Sequence, residues 1–108
     1  MRLTSVIVSK VVQQIEVIGL ASIKNFTAQE AKKVGEKLGI KWNKFDLDQF
    51  RRGMVVELEH GSRDEKTNVT NDDALVTGKI ALAHLNEFPD YYDRLEKLEK
   101  EAEQFWKI

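Results

Sequence analysis

The sequence contains no cysteine and a single proline in 108 residues. The absence of cysteine excludes disulfide bonds, thiolate metal ligands and cysteine nucleophiles, and it fits a reducing compartment. An excess of charge of one sign is also missing, because the formal net charge is -1. Generic binding to nucleic acid therefore has no electrostatic support.

Long hydrophobic runs are missing as well. The most apolar stretch, residues 6–23, is interrupted by Lys10, Gln13, Gln14 and Glu16, so it does not have the composition of a membrane span. It also lacks the apolar block and small-residue cleavage site of a signal peptide. We therefore expect no membrane association and a cytoplasmic location.

The composition is that of a folded domain. Apolar residues make up 42% of the chain and charged residues 32%, which is typical of soluble globular proteins with a modest hydrophobic core. We expect residues 1–108 to form a single helical domain, in which residues 1–25 provide an N-terminal helix and residues 26–108 the helical core.

The first predicted helix runs from about Leu3 to Ile18. Its apolar residues recur at helical spacing, although its many β-branched side chains would also suit a strand. Helix is the preferred interpretation. The apolar face consists of Leu3, Ile7, Val11, Ile15 and Ile18.

The second and third predicted helices have recognisable ends. Thr27 and Glu30 have the spacing of a capping box, and Gly39 is a natural stop for the second helix. Asp46 or Asp48 can cap the third helix, which Gly61 should end. The third helix has an apolar stripe of Leu47, Phe50, Met54 and Leu58.

The fourth helix should run from about Asp72 to Phe88, where Pro89 breaks it, and the fifth follows from Tyr91. We expect Tyr91 in the core and Tyr92 more exposed. The apolar stripe of the fourth helix is read as Val76, Ile80, Ala81, Ala83, Leu85 and Phe88; that of the fifth as Tyr91, Leu95, Leu98, Ala102 and Phe105. The fold class is therefore all-α, a compact bundle or orthogonal packing of four to five short helices.

Both histidines have a glutamate three positions away, Glu57 before His60 and Glu87 after His84. A helical wheel places His84 and Glu87 inside the apolar stripe of the fourth helix and Glu57 at the edge of the third. A carboxylate in an apolar stripe costs several kcal/mol unless it is paired. Gly53 has no side chain and lies beside Glu57 and His60, so another backbone could approach there.

Two interpretations follow. In the first, the glutamates and histidines form buried hydrogen-bonded pairs that fix the packing of the helices. In the second, Glu57, His60, His84 and Glu87 bind one metal ion (zinc, iron or manganese). Asp72 and Asp90 would then be outer-shell groups. A simple antiparallel hairpin would separate Glu57 from His84 by more than a helical turn, so we rank the paired interpretation first.

Basic residues cluster around the second helix, where Glu30 and Glu36 dilute them. Nucleic-acid binding is therefore a weak third hypothesis, and the sequence has no phosphate-binding loop or nucleophile elbow. The basic residues are Lys32, Lys33, Lys37, Lys41 and Lys44.

Three blocks of the sequence, ELEHG, VTNDD and GKIALAHLNEFPDYY, lie between about residues 26 and 103. This region resembles an uncharacterised family, a domain of unknown function met in bacteriophage and bacterial proteins, sometimes as a terminal module of a larger phage protein. The resemblance implies a phage or prophage context, with the host cytoplasm or the virion as the location. It implies no catalytic residue.

The function that these observations favour is a small non-enzymatic binding or assembly module with a buried Glu/His cluster. Its partner would be another protein or a second copy of the chain. The alternative is a metal-binding domain, and from it a small metal-dependent hydrolase with Glu57, His60, His84 and Glu87 as ligands.

Overall fold

The computed structural model describes residues 25–107, and this part of the chain is helical without any strand. The predicted all-α class is confirmed. The predicted helix from Leu3 to Ile18 lies outside the described residues. The elements are α1 (Ala28–Lys37), α2 (Leu47–Ser62), a short 3-10 helix (Glu65–Thr67), α3 (Ala74–Glu87) and α4 (Tyr91–Trp106). None of these helices is long and apolar enough to cross a membrane.

Helix α1 begins and ends as its sequence predicts. The Thr27 hydroxyl accepts a hydrogen bond from the Glu30 amide at 3.1 Å, and the Glu30 carboxylate accepts one from the Thr27 amide at 2.8 Å. This is a complete capping box. At the other end Gly39 has a φ of 76°, and the Ile40 amide donates to the Gly35 carbonyl at 2.9 Å. Together they form a Schellman stop, which needs the left-handed glycine.

Aspartates cap the next two α-helices. Asp46, rather than Asp48, caps α2 by accepting from the Gln49 amide at 2.9 Å. Asp73 caps α3 by accepting from the Val76 amide at 2.9 Å. Each cap satisfies one of the amides that a helix start leaves without an intrahelical partner.

The connection between α2 and α3 is held together by its own side chains. The Asn68 carboxamide oxygen accepts from the Asn71 amide at 2.9 Å, and the Thr70 hydroxyl accepts from the Asp72 amide at 3.0 Å. Asn71 and Asp72 both have a positive φ, of 54° and 63°, which these two residue types tolerate better than most. Thr70 is buried, and it and Asn68 approach Gly61 in the last turn of α2.

Helix α2 is central to the core, since both α1 and α3 pack on it. Gly78 allows α3 to come close, because a Cβ at this position would lie 2.5 Å from Val34 Cγ1 and 3.3 Å from Phe50 Cζ. The buried apolar side chains are Ala31, Val34, Phe50, Met54, Leu58, Ala81, Leu85 and Tyr92. They are the interior that holds the three helices together.

Trp42 closes the loop that follows α1. Its φ is 58°, and its ring lies over Gly35, where a Cβ would be 2.5 Å from the ring carbons. The same ring makes edge contacts with Phe45 and Phe50, at centroid distances of 6.3 and 5.7 Å. A large aromatic side chain from the loop therefore packs directly on a glycine of α1.

The predicted packing face of α3 is partly wrong. Thr77 and Gly78 are buried, whereas Val76 and Ala83 are exposed and Ile80 is half-buried. Helix α3 is apolar on most of its circumference, so hydrophobic periodicity alone does not choose between faces. Thr77 tolerates the interior because its hydroxyl donates to the Asp73 carbonyl at 2.7 Å.

Helix α4 is shared between two compact units of the chain. Tyr91 and Tyr92 belong to the unit Asn25–Tyr92, and the remainder of the helix belongs to the other. The predicted burial of the two tyrosines is wrong, because Tyr92 is buried and Tyr91, which we expected in the core, is only half-buried. In the remainder, the large apolar side chains Leu98, Phe105 and Trp106 are exposed. A single domain over all 108 residues stays a prediction.

Candidate functional site

Helices α2, α3 and α4 bring five titratable side chains together. Glu57 comes from the middle of α2 and His84 from the last turn of α3. We call this group the Tyr–Glu–His cluster; its members are Glu57, His84, Glu87, Tyr91 and Tyr92.

The inner part of the cluster is the pair of Tyr92 and Glu57. The Tyr92 hydroxyl donates to Glu57 Oε2 at 2.8 Å. Tyr92 is 2% exposed and the Glu57 side chain 12% exposed. Burial raises the pKa of the Tyr92 phenol, and the charge and hydrogen bond of Glu57 raise it further. Tyr92 therefore stays a neutral donor, which is the form that a nearly buried carboxylate needs.

Gly53 makes room for this pair. A Cβ at Gly53 would lie 2.4 Å from Tyr92 Cε2 and 2.9 Å from Cζ. The sequence indicated a close approach at this glycine, but the group that approaches is an aromatic ring and not a backbone. One helical turn separates Gly53 from Glu57, so the ring contacts α2 at Gly53 while its hydroxyl reaches the carboxylate one turn further along.

His84 lies between two carboxylates. Its Nδ1 is 3.0 Å from Glu87 Oε1, and its Nε2 is 3.7 Å from Glu57 Oε2. The first distance is that of a hydrogen bond, in which an N–H at Nδ1 donates to the carboxylate; the second is too long for one. A protonated imidazole would be attracted by both carboxylates. The contacts join α3 to itself and, more weakly, to α2.

Tyr91 covers one face of the imidazole. The two rings are stacked, with centroids 4.3 Å apart and an interplanar angle of 12°. Tyr91 also makes an edge contact with Tyr92 at 5.0 Å. Burial, and then the charges of Glu57 and Glu87, raise the pKa of the Tyr91 phenol. Both tyrosines are therefore neutral across the physiological pH range.

The structure brings three of the four predicted site residues together, namely Glu57, His84 and Glu87. The helical wheel placed Glu87 inside the apolar stripe of this helix, and that placement is wrong, because 64% of the Glu87 side chain is exposed. The fourth residue, His60, lies in the last turn of α2. The wheel misplaced Glu87 because the packing face of α3 is centred on Gly78 and Ala81, on another side of the helix.

The two predicted outer-shell groups occupy different places. The Asp72 carboxylate accepts a hydrogen bond from the side-chain nitrogen Nδ2 of Asn68 at 3.0 Å, within the connection between α2 and α3. Asp90 is half-buried at the junction of α3 and α4. Residues 25–107 contain no group of three or more histidine, cysteine, aspartate or glutamate residues placed to hold a metal ion. Zinc, iron or manganese binding stays a prediction of the sequence.

Sequence reasoning missed the role of Tyr92 altogether. The available signal was Gly53, a glycine in the interior of an amphipathic helix, where glycine is unfavourable by about 1 kcal/mol unless close packing requires it. Glu57 needed a donor, and the helical spacing pointed only to the two histidines. A buried tyrosine can satisfy a carboxylate without adding a second charge.

The fold and the cluster define a small all-α domain with an internally paired Tyr–Glu–His cluster. Residues 31–101 match the family described as "Protein of unknown function (DUF5661)", so the chain belongs to this family. The expectation of an uncharacterised domain family is thereby confirmed, while the phage and bacterial setting stays a prediction. The chain matches no curated protein and no solved structure.

Proposed function

We propose that this chain is a small helical interaction module, non-enzymatic, that binds a protein partner or a second copy of itself. The single observation that carries the proposal is the second apolar face of α3. This outer face consists of Val76, Ile80 and Ala83. It lies within residues 31–101, which match the family.

The outer face differs from the scattered apolar residues found on any protein surface. Val76 and Ala83 are exposed and Ile80 is half-buried, and their spacing of four and three residues places them in one row. The opposite face of the same helix is the one that packs into the core. A helix that is apolar on two sides is typical of elements buried on both, and an exposed apolar row is typical of an interaction site.

The Tyr–Glu–His cluster supports a structural role beside this surface. The Tyr92 hydroxyl is bonded to Glu57, and His84 Nδ1 is bonded to Glu87. These bonds engage the groups that a general base or nucleophile would have to present to a substrate. The cluster instead ties α2, α3 and the start of α4 into one unit, and so holds the outer face in a fixed geometry.

The biological setting belongs to the same proposal. The resemblance of ELEHG, VTNDD and GKIALAHLNEFPDYY to a phage and bacterial family suggests an assembly protein encoded by a phage or prophage, acting in the host cytoplasm or in the virion. A symmetric assembly of identical chains buries the same surface patch on each copy, which an apolar row of this kind would suit.

Sedimentation velocity from low micromolar to near-millimolar concentration tests the proposal. We expect the sedimentation coefficient to rise with concentration, and the rise to be abolished by Val76→Lys and Ala83→Lys. Asn86→Lys is the matched control, since it adds the same charge at an exposed polar position of the same helix. An equal effect of all three substitutions would indicate charge repulsion rather than an apolar contact.

If the wild-type chain stays monomeric, the partner must be a different protein. A photo-crosslinking amino acid at position 83 should then attach one discrete protein in cells that express the chain, and the same group at position 86 should not. A monomer that gives no crosslink specific to position 83 would end the proposal.

A further inference from the structure

The outer face of α3 has one charged residue on either side of its centre. Ala83 is exposed and lies opposite the packing face, which is centred on Gly78 and Ala81. Lys79 precedes Ala83 by four residues and Glu87 follows it by four, and both are exposed. Residues four apart form one row along a helix. The row therefore reads Lys–Ala–Glu, with each charge about 6 Å from Ala83 along the axis.

A row of this kind is complementary to itself when it is reversed. If a second copy of α3 crosses the first in the antiparallel direction at Ala83, Lys79 of each copy lies against Glu87 of the other. The small side chain of Ala83 lets the two helices approach closely at the crossing point. The commonest crossing angle of packed helices, about −50°, is the one at which rows of residues four apart run alongside each other.

We propose that the outer face of α3 binds a second copy of this chain, in an antiparallel two-fold pair that crosses at Ala83. The inference rests on the interaction function proposed above and names the partner for it. A two-fold interface uses the same patch on both copies, so a single self-complementary row is sufficient. Each contact between Lys79 and Glu87 then occurs twice in the pair.

Charge also selects this register among the pairs that α3 could form with itself. An antiparallel pair centred on Ile80 would set Glu87 beside Asp73 of the second copy, and both carboxylates are exposed. A parallel pair would set Lys79 against Lys79 and Glu87 against Glu87. Like charges placed together disfavour both arrangements. The crossing at Ala83 brings opposite charges together instead.

Glu87 can bind a lysine of the second copy while it keeps its own hydrogen bond. His84 Nδ1 contacts one carboxylate oxygen of Glu87, Oε1, at 3.0 Å. A carboxylate has about four acceptor sites on its two oxygens, and the Glu87 side chain is 64% exposed. The bond to His84 restricts the motion of the carboxylate, which reduces the entropy that Glu87 would lose on pairing.

Charge reversal in two separate chains tests the contact. Lys79→Glu and Glu87→Lys each bring like charges together in a pair of identical chains, so each variant should associate about tenfold more weakly than the wild type. When the two variants are mixed, positions 79 and 87 again face opposite charges in the mixed pair. Fluorescence-detected sedimentation of a labelled Glu87→Lys chain should therefore show association restored by unlabelled Lys79→Glu.

Lys66→Glu is the matched control for the mixing experiment. It changes the net charge by the same amount as Lys79→Glu, at an exposed lysine of the short 3-10 helix. Its mixed pair with Glu87→Lys keeps one contact between two lysines and should associate more weakly. Equal restoration by Lys66→Glu and Lys79→Glu would show that net charge drives association, and would overturn the assigned contact.

Disulfide trapping tests the crossing point without background, because the chain has no cysteine. With helix axes about 8–10 Å apart and a Cα radius of about 2.3 Å, the two Cα atoms at position 83 would be about 3–5 Å apart. This range overlaps the Cα separations of disulfides. Ile80→Cys and Asn86→Cys place the cysteine three residues to either side of Ala83, where the two copies are roughly 8–9 Å apart along the helix.

We expect Ala83→Cys to form an interchain disulfide about tenfold faster than either neighbouring variant, under mild oxidation at a concentration where the wild type associates. A faster reaction of Ile80→Cys would assign the other register, which overturns this inference and leaves the proposed interaction function in place. A monomeric wild type with slow reactions at all three positions would exclude the second copy. The partner would then be the different protein that the crosslinker at position 83 attaches.

Discussion

Two glycines of the unit Asn25–Tyr92, Gly78 and Gly53, each let a side chain of another helix lie against a helix backbone. At Gly78, α3 comes close to Val34 and Phe50, and the three atoms nearest to the glycine are side-chain carbons. At Gly53, the Tyr92 ring lies on α2, and the junction ends in a hydrogen bond to a carboxylate. We call them the apolar junction and the polar junction.

A glycine within a helix can thus admit either an apolar contact or a hydrogen-bonded side chain. The apolar junction is non-directional, so its contribution grows with the area removed from water. The polar junction is directional, and the loss of either member leaves the other buried without a partner. The apolar junction mainly contributes stability. The polar junction mainly determines where the first turn of α4 packs on α2.

The largest expected effect comes from the apolar junction. Phe50→Ala should lower the free energy of unfolding by about 3–5 kcal/mol, because a fully buried aromatic ring is lost and a cavity remains. Urea unfolding followed by circular dichroism measures it. Phe88→Ala, at a phenylalanine that is nearly half exposed, should cost much less. Similar costs for the two would mean that Phe50 is not the centre of the core.

The two glycines themselves come next. Alanine at either position should cost about 1–3 kcal/mol by overpacking, reduced by the roughly 1 kcal/mol that alanine gains in a helix. Gly53→Ala should be the more costly, because the Tyr92 ring is held by Glu57, whereas the Val34 side chain can rotate.

Gly61→Ala is the matched control for both glycine variants. A Cβ there would meet nothing nearer than 3.5 Å, so the helix propensity of alanine should stabilise the chain by up to about 1 kcal/mol. The three glycine variants are compared by thermal and urea unfolding. A stabilised Gly53→Ala variant would contradict the tight placement of Tyr92.

A double-mutant cycle isolates the polar junction. Glu57→Ala should cost about 1–3 kcal/mol, since it leaves the Tyr92 hydroxyl buried without an acceptor. Tyr92→Phe should cost about 1 kcal/mol, and the double variant should cost less than the sum of the two. Strict additivity of the three values would show that the hydrogen bond does not couple α2 to α4.

Alkaline pH should weaken the polar junction. The folded-state pKa of Tyr92 is raised above its unfolded value of about 10, so the folded chain resists deprotonation more than the unfolded one. The stabilisation is therefore complete below about pH 10 and falls as the pH rises above it. Melting temperatures from pH 8 upward should fall less steeply in Tyr92→Phe than in the wild type, relative to each variant's value at pH 8.

The smallest expected effect concerns metal. A chelator should leave the melting temperature unchanged, because residues 25–107 contain no group of three or more histidine, aspartate or glutamate side chains placed to hold an ion. Elemental analysis by plasma mass spectrometry accompanies the melting curves. Near-stoichiometric zinc, iron or manganese that His84→Ala removes would establish the metal-binding alternative in place of the paired cluster.

Local signals in the sequence predicted the ends of the helices well. The Thr27 capping box, the Gly39 stop and the Asp46 cap depend on neighbours within about one turn, and all three are confirmed. The partner of Glu57 could not be predicted in this way, since Tyr92 is 35 residues away and reaches it only after the helices have packed. Hydrophobic periodicity also did not orient α3, where a glycine marks the packing face.

The packing of Trp42 on Gly35 has an evolutionary consequence. Since a Cβ at position 35 would lie 2.5 Å from the indole ring, position 35 cannot gain a side chain while Trp42 is kept. Homologues with a larger residue at this place in the helix should therefore have a smaller one in the loop. Covariation between these two columns of a family alignment would then trace the same contact that packs the loop against α1.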